Sequence, residues 1–229
     1  MLDIKTHRSI LVQILKEIYS RTSLGPILGF KGGTSVYLFY NLPRFSVDLD
    51  FDLVYEKKED FVFNEIEKIL KDFGEIRDKA NKRNTIFFIL SYSDESRNIK
   101  IKISKRNFGS EYEIKNYLGI SMLVMKNEDI FAHKLAALLE RKKQANRDLF
   151  DIWFFLKNNW EINKKIIEIR TKMDLKNYLK KCIAFIEKLS EKNILTGIGE
   201  LLDEKNKTWA KKNLKKDLLF LLRLRLKNL

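Results

Sequence analysis

Apolar and polar residues alternate with two different periods along the first 160 residues of the chain. Isoleucine and leucine recur at helical spacing over about residues 6–21, which predicts an amphipathic helix that packs on a sheet. A short apolar run over 27–30 predicts a buried strand, followed by a helix over 34–40 that Thr34 can cap. Strict alternation over 44–53 predicts a second strand with one apolar and one polar face.

Downstream of residue 53 the sequence continues to alternate between helix-like and strand-like patterns, and it then becomes purely helical. It predicts strands over 85–92 and 98–104, a turn over 93–96, a further apolar stretch over 117–125, helices over 61–73, 128–141 and 148–157, and a basic loop over 142–147. After Trp160 only helical patterns remain, near 161–171, 174–190 and 208–227. The prediction is an α/β (α+β) protein with a mixed sheet flanked by helices over 1–158 and a basic helical domain over 159–229.

Three carboxylates occupy the polar face of the strand predicted over 44–53. Asp48 and Asp50 are two residues apart, so their Cβ atoms lie on one side of the sheet about 7 Å apart. Two like charges this close repel, and a divalent cation with oxygen ligands removes the conflict. Magnesium, or manganese in its place, fits because it takes one or two protein carboxylates and keeps other positions for water and phosphate. Asp52 continues the row and can simply point to solvent at the strand end.

A glycine corner precedes this strand. Lys31-Gly32-Gly33-Thr34 lies where the first strand ends and a helix begins, so bare backbone can approach a phosphate and helix N–H groups can point at it. An ordinary tight turn explains a lone Gly-Gly-Thr better. The corner followed closely by Asp48 and Asp50 is more specific, because it joins a phosphate site to a metal-binding strand.

Basic residues are unevenly distributed along the chain. Forty-five Lys and Arg against 31 Asp and Glu give a net charge of +14, and the first 60 residues carry 8 of each sign, so the whole surplus lies downstream. Positive charge attracts polyanions, which makes nucleic acid the natural partner, although solvated surface lysines explain the same surplus. One cysteine and two histidines are too few for a Cys/His zinc site, so oxygen atoms would hold any metal.

Hydropathy also bears on the location of the protein. No apolar run approaches the roughly 18 residues of a membrane span. The first 20 residues mix Asp3, Lys5, Arg8, Lys16 and Glu17 into their apolar positions, unlike a secretion signal. A cytoplasmic protein without a membrane partner is therefore expected.

Two blocks of sequence carry a family resemblance. The first comprises Lys31-Gly32-Gly33-Thr34 and Leu42-Pro43-Arg44-Phe45-Ser46-Val47-Asp48-Leu49-Asp50-Phe51. The second comprises Asp129-Ile130-Phe131-Ala132-His133-Lys134-Leu135-Ala136-Ala137-Leu138, then Arg141, then Arg147-Asp148-Leu149-Phe150-Asp151. Together they resemble the signatures of the AbiEii/AbiGii nucleotidyltransferase toxins, a branch of the DNA polymerase β-type nucleotidyltransferases, whose later motifs are a lysine and Arg-Asp-x-x-Asp.

The resemblance implies a minimal nucleotidyltransferase core that depends on magnesium. The reaction would transfer a nucleotide from a nucleoside triphosphate (NTP) to an acceptor. Because several relatives act on tRNA 3′ ends, the expected acceptor is RNA, and tRNA in particular. The setting would be a type IV toxin–antitoxin system or abortive infection of phage-infected cells, with a cognate antitoxin protein as a candidate partner.

The same resemblance implies roles for individual residues. The nucleotide-binding residues would be Lys31, Gly32, Gly33, Thr34, Ser46 and Arg141. The catalytic residues would be Asp48 and Asp50, which hold the metal, together with Lys134, Asp148 and Asp151. Lys134 would contact phosphate or help to activate the acceptor. Phosphoryl-type transfer needs such parts, because it relies on positioning and on charge stabilisation.

The residues of the second block by themselves allow a structural interpretation. Lys134 and Arg141 are seven residues apart and share a helix face, which can be a solvated stripe. Arg147 can pair with Asp151 as an ordinary ion pair within one helix. Without the resemblance, this structural interpretation is the favoured one.

The strand predicted over 98–104 departs from the pattern of the polymerase β-type enzymes. These commonly carry a third carboxylate on a later strand, whereas the polar face here shows Lys100, Lys102 and Ser104. Charged lysine cannot bind a cation. Either Asp148 or Asp151 substitutes, or one metal suffices, or Lys102 binds substrate phosphate, or activity is lost. The last alternative would leave an inactive RNA-binding or partner-binding protein.

The other chemically interesting residues are interpreted as structural. His133 is taken as a surface or packed histidine, and Trp153-Phe154-Phe155 and Cys182 as core. The segment Trp209–Leu229 is a basic amphipathic helix. Its leucines favour packing within the helical domain over RNA contact, with membrane contact the weakest alternative.

Overall fold

The computed structural model describes residues 3–93, 98–141 and 145–229, which divide into two compact units. The sheet unit comprises Met1–Asn41, Phe45–Asn107 and Glu111–Met125, and the helical unit comprises Leu42–Arg44, Phe108–Ser110 and Lys126–Leu229. A mixed sheet with helices confirms the predicted fold class. The boundary predicted after residue 158 lies within the helical unit. Compact units need not coincide with functional domains, so that boundary stays a prediction.

The described part of the sheet unit contains one mixed sheet of seven strands. The strands are β1 (Leu28–Lys31), β2 (Leu49–Leu53), β3 (Glu75–Lys82), β4 (Thr85–Ser91), β5 (Ile99–Ser104), β6 (Tyr112–Tyr117) and β7 (Ile120–Met125). Their order across the sheet is β3-β4-β5-β2-β1-β7-β6. The pairs β1/β7 and β2/β5 are parallel, and the other neighbours are antiparallel.

The centre of the sheet buries one face of each strand. Leu49 and Phe51 of β2 are fully buried, as are Ile101 and Ile103 of β5. Each such side chain stabilises the fold by about 1.5–3 kcal/mol relative to an exposed one. The described residues of this unit also form three α-helices, which are α1 (Ile4–Ser20), α2 (Gly32–Tyr40) and α3 (Glu59–Lys71). Because side chains alternate along a strand, the polar residues of β2 and β5 share the opposite face.

The helical unit contains five α-helices within its described residues. They are α4 (Asn127–Glu140), α5 (Asn146–Lys157), α6 (Lys164–Thr171), α7 (Leu175–Glu187) and α8 (Glu204–Lys227). The aromatic run Trp153-Phe154-Phe155 of α5 is buried, which confirms its core assignment. Cys182 is also buried, and burial raises the pKa of its thiol to about 12. Helix α8 buries Leu214, Leu218 and Leu222, so its packing role is confirmed.

Some predictions concern residues outside the described ranges. Of the turn predicted over 93–96, only Ser93 is described, and the rest of that turn lies outside the described residues. Residues 142–144 of the basic loop are also outside. None of the helices in the part of the chain that the structure describes has the length and apolar character to cross a membrane.

Candidate active site

The glycine corner spans the last residue of β1 and the first residues of α2, so it lies where a strand ends and a helix begins, as predicted. Gly32 has a φ of +83°, which favours glycine, and a Cβ at this position would come 2.7 Å from Asp50 Oδ2. The predicted capping role of Thr34 is wrong, because α2 begins at Gly32. Thr34 is buried instead, and its hydroxyl donates a hydrogen bond to the backbone carbonyl of Asp48. The corner is thereby connected directly to the carboxylate-bearing segment.

The strand predicted over 44–53 is shorter than expected. Only Leu49–Leu53 forms a strand, and Arg44 belongs to the helical unit, while Ser46 is largely buried within the sheet unit. Asp48 precedes the strand, and its Oδ1 accepts a hydrogen bond from the backbone N–H of Lys100 at 3.3 Å. Asp48 and Asp50 are both half-buried. The shortening does not separate the two aspartates from the glycine corner.

Asp50 lies in a row of charged residues that crosses three strands. The sheet register places it opposite Lys31 of β1 on one side and opposite Lys102 of β5 on the other. Within the described residues, the carboxylate of Asp50 forms neither a hydrogen bond nor an ion pair of 4 Å or less. Partial burial lowers the pKa of Lys102. The negative charge of Asp50 opposes this shift. Nearby positive charges add to the shift, and they belong to Lys31, Arg106 and Lys100. The residue of β5 beside Asp50 is thus a lysine and not a third carboxylate.

Asp52 has a role that the sequence analysis missed. It is only 6% exposed, so the suggestion that it points to solvent is wrong. Lys31 forms an ion pair with its Oδ1, and the hydroxyl of Tyr112 donates a hydrogen bond to its Oδ2 at 2.9 Å. Asp52 thus holds Lys31 beside the glycine corner. Its place on the same face as Asp50 was the available signal, but its two partners come from distant segments.

The ring of Tyr112 reaches Asp52 across Gly29, where a Cβ would lie 2.1 Å from Tyr112 Cε1. We expect Gly29→Ala to lower the free energy of unfolding by about 1–3 kcal/mol through overpacking, measured by urea titration followed by far-UV circular dichroism. Gly199→Ala is the control, since its Cβ would find its nearest neighbour, Leu195, at 3.6 Å. The Gly29→Ala and Tyr112→Ala effects should not add in the double variant; additive effects would contradict the packing account.

The residues of the second sequence block form a separate cluster in the helical unit. Asp151 is 0% exposed, and its two oxygens accept hydrogen bonds from Arg44 Nε at 2.5 Å and Arg44 Nη2 at 2.7 Å. Lys134 Nζ lies 3.0 Å from Asp151 Oδ2 and 2.9 Å from Asp148 Oδ1. Arg141 Nε lies 2.6 Å from Asp148 Oδ2, an ion-pair contact without the angles of a hydrogen bond. Five charged side chains are therefore collected here.

These contacts correct both structural interpretations of the second block. Lys134 is not part of a solvated stripe, because its ammonium group is buried against two carboxylates. Asp151 does not pair with Arg147, because Arg44 and Lys134 occupy its oxygens. Burial opposes the charged form of each group. The opposite charges outweigh burial, so the pKa of Asp151 is lowered and those of Arg44 and Lys134 are raised.

His133 is a packed histidine, as predicted. Its Nδ1 is 2.7 Å from Arg170 Nη1 and its Nε2 is 2.7 Å from Ser110 Oγ. A guanidinium can only donate, so Nδ1 accepts and Nε2 carries the proton. His133 therefore donates to Ser110 and is not its base.

The donor set of the sheet unit fits a magnesium ion that takes two protein carboxylates. Within the described residues no group of three or more His, Cys, Asp or Glu could hold a metal. Asp48 and Asp50 remain, with oxygen donors on a half-buried surface beside the glycine corner. Magnesium commonly binds one or two carboxylates and completes its coordination with water and phosphate. The arrangement suits binding of a phosphate-bearing substrate together with a metal.

Comparisons with known proteins bear on the family and on the fold of the chain. A family model described as nucleotidyl transferase AbiEii toxin, type IV toxin–antitoxin system, matches residues 13–218. The solved structure of JHP933 from Helicobacter pylori has a TM-score of 0.65 and 20% identity, covering 100% of this chain and 94% of that one. The structure of an H. pylori protein described as a candidate nucleotidyltransferase has a TM-score of 0.65 and 21% identity, covering 97% and 94%. These two likenesses show a shared fold. No curated protein matches.

Proposed function

This chain belongs to the AbiEii nucleotidyl transferase toxin family of type IV toxin–antitoxin systems, and from that premise we propose that it transfers a nucleotide from an NTP to the 3′ end of an RNA, tRNA in particular. The family makes the chain a nucleotidyltransferase and gives it an antitoxin as partner. The observation that carries the proposal is the close approach of the Gly32 corner to Asp50, in a row flanked by Lys31 and Lys102.

Asp48 and Asp50 would hold a magnesium ion. When bound, that ion neutralises charge on the reacting phosphates. The backbone of Gly32 and Gly33 has no side chains in the way, so a triphosphate could bind against it, and the first N–H groups of α2 would point toward that triphosphate. Lys31, fixed by Asp52, adds a positive charge on the corner side of Asp50. Ser46 keeps its implied place among the nucleotide-binding residues.

Lys102 takes the place of the third carboxylate in this proposal. Because it lies opposite Asp50 and cannot bind a cation, we assign it to a phosphate oxygen of the NTP. A fixed ammonium group supplies charge stabilisation without a second metal. The proposal thus combines two of the alternatives that the sequence left open: one metal ion suffices, and Lys102 binds substrate phosphate.

The resemblance also implies roles for residues of the buried cluster in the helical unit. Lys134 would contact phosphate or help to activate the acceptor, Asp148 would belong to the catalytic residues, and Arg141 would belong to the nucleotide-binding residues. Asp151 is better described as a positioning residue, because Arg44 and Lys134 occupy both of its oxygens. It would fix Lys134, and through Lys134 also Asp148.

RNA is the acceptor class that the charge of the chain supports. The net charge of +14 favours a polyanion, and the exposed side of α8 carries lysines, among them Lys205, Lys212 and Lys216. Blocking an acceptor end would explain toxicity, because a tRNA with a blocked 3′ end cannot be aminoacylated.

The test is incorporation of each labelled NTP into total RNA with and without magnesium. We expect one NTP to label an RNA of tRNA size and excess EDTA to abolish the label. A label on protein, or on longer RNA only, would contradict the proposed acceptor. RNA binding that weakens with salt, without any incorporation, would instead indicate a protein that kept the fold and lost the reaction.

A further inference from the structure

An aromatic residue flanked by lysines lies on the sheet next to the proposed metal site. Phe87 of β4 is the register partner of Lys102, so it continues the row that starts at Lys31 and passes through Asp50. Two strand spacings separate Phe87 from Asp50, about 10 Å. Its ring is on the same face of the sheet, because cross-strand partners point to one side.

Two lysines approach the Phe87 ring. Lys82 Nζ is 4.8 Å and Lys100 Nζ is 5.5 Å from its centroid. Both lysines are exposed, and Phe87 is half-buried, whereas its neighbour Phe88 is fully buried on the opposite face. We call Phe87, Lys82 and Lys100 the Phe87 patch.

The patch has the features of a surface that binds single-stranded nucleic acid. The ammonium groups of Lys82 and Lys100 lie over the half-buried ring of Phe87. An aromatic ring at a surface can stack on a base of any kind when such lysines move aside, and the lysines can then bind the phosphates on either side of that base. Packing alone does not require this arrangement, since the hydrophobic core of the sheet is formed by the alternate residues of β4 and β5.

We propose that the Phe87 patch binds the single-stranded 3′ end of the RNA acceptor, with a base stacked on Phe87 and backbone phosphates near Lys82 and Lys100. This inference rests on the proposed function. The ligand of the Phe87 ring is more consistent with an RNA base than with the base of the NTP, because the cations form two separate pairs. Lys31 and Lys102 flank Asp50, where the triphosphate is assigned, so the pair around Phe87 is left for a second polyanion.

Binding of a fluorescein-labelled single-stranded RNA with a free 3′ end, followed by anisotropy, tests the proposal. We expect Phe87→Ala and Phe87→Leu to weaken RNA binding about tenfold and Phe87→Trp to retain it. The leucine variant keeps an apolar side chain, so a weaker affinity there is not explained by unfolding. Phe61→Ala is the matched control, because Phe61 is 37% exposed and also has a lysine, Lys58, 5.8 Å from its ring. It should bind RNA as the wild type does.

The lysines of the patch are tested through salt dependence. For a single strand, removing one lysine that binds a phosphate lowers the slope of log Kd against log salt by about 0.7, so Lys82→Ala with Lys100→Ala should lower it by about 1.4. An unchanged slope would overturn the phosphate assignment.

The outcomes separate this inference from the proposed function. Wild-type RNA affinity in Phe87→Leu would overturn the inference while leaving nucleotide transfer intact. Weaker NTP binding with normal RNA binding would place the NTP base on Phe87 and would also overturn it. If the wild type transfers no nucleotide but Phe87→Leu still loses RNA affinity, the proposed function fails and the RNA site stands.

Discussion

Asp50→Asn is expected to reduce nucleotide transfer by about a hundred- to a thousandfold. Asparagine keeps the shape of the side chain and removes the negative charge that the proposed magnesium site needs, and loss of one electrostatic element from such a site has effects of this size. Binding of Mn²⁺, measured by electron paramagnetic resonance, should weaken in parallel. The magnesium dependence of any residual transfer should move to higher concentration.

The fold should tolerate this substitution. The Asp50 carboxylate forms no hydrogen bond or close ion pair with the described residues, so the substitution leaves no buried partner of that carboxylate unpaired. Far-UV circular dichroism and the urea midpoint should match the wild type. Asp72→Asn, at the exposed end of α3, is the matched control and should leave transfer unchanged. Wild-type transfer by Asp50→Asn would remove the metal site from the proposal.

Asp151→Ala is expected to destabilise the helical unit by about 3–5 kcal/mol. Breaking a buried ion pair from one side leaves an uncompensated charge, here Arg44, whose side chain is 2% exposed. The three tryptophans of the chain, Trp153, Trp160 and Trp209, all belong to the helical unit. Urea unfolding followed by tryptophan fluorescence therefore reports on the unit that contains the change.

Two further variants show whether the destabilisation in Asp151→Ala comes from the broken charge pair or would follow the loss of any aspartate. Asp174→Ala removes an exposed N-cap whose side chain accepts from Asn177, and should cost about 1 kcal/mol. Arg44→Met with Asp151→Leu removes both charges and should recover most of the stability lost in Asp151→Ala. A cost below about 1 kcal/mol for Asp151→Ala would show that the cluster contributes little to stability.

The pH dependence of this effect has a definite sign. The folded-state pKa of Asp151 is lowered, so its contribution is complete above the unfolded-state pKa of about 3.9 and is lost as the pH falls through the folded-state value. The pKa of Lys134 is raised, so its contribution is lost only as the pH rises beyond about 10.4. The difference between wild type and Asp151→Ala should therefore be constant near neutral pH and shrink in acid.

Edge strands show where sequence patterns failed. Strands β3 and β6 form the two edges of the sheet and were not predicted. Their residues are mostly polar and none of them is buried, so they lack the apolar run or clean alternation that marked β4 and β5. An edge strand is stabilised by pairing with one neighbouring strand. The hydrophobic pattern of the edge strand itself does not indicate that neighbour.

The candidate site shows the same division. The glycine corner and its closeness to the segment of Asp48 and Asp50 could be predicted from spacing, because both depend on local backbone geometry, and the metal-binding role of the two aspartates stays a prediction. The binding of Asp52 by Lys31 and Tyr112 could not, since Tyr112 is sixty residues away in the chain. The separation of Arg44 from the predicted strand, and its pairing with Asp151, likewise required the fold.

The sequence by itself determined the family, the mixed α/β class and most helices, because motifs and hydrophobic periods are local properties of the chain. Tertiary structure decided which charges meet. It placed Lys102 and Phe87 in one row with Asp50, and it buried Lys134 between Asp148 and Asp151. The physical reason is that strand register and ion pairing join segments far apart in sequence, where no local pattern records the partner.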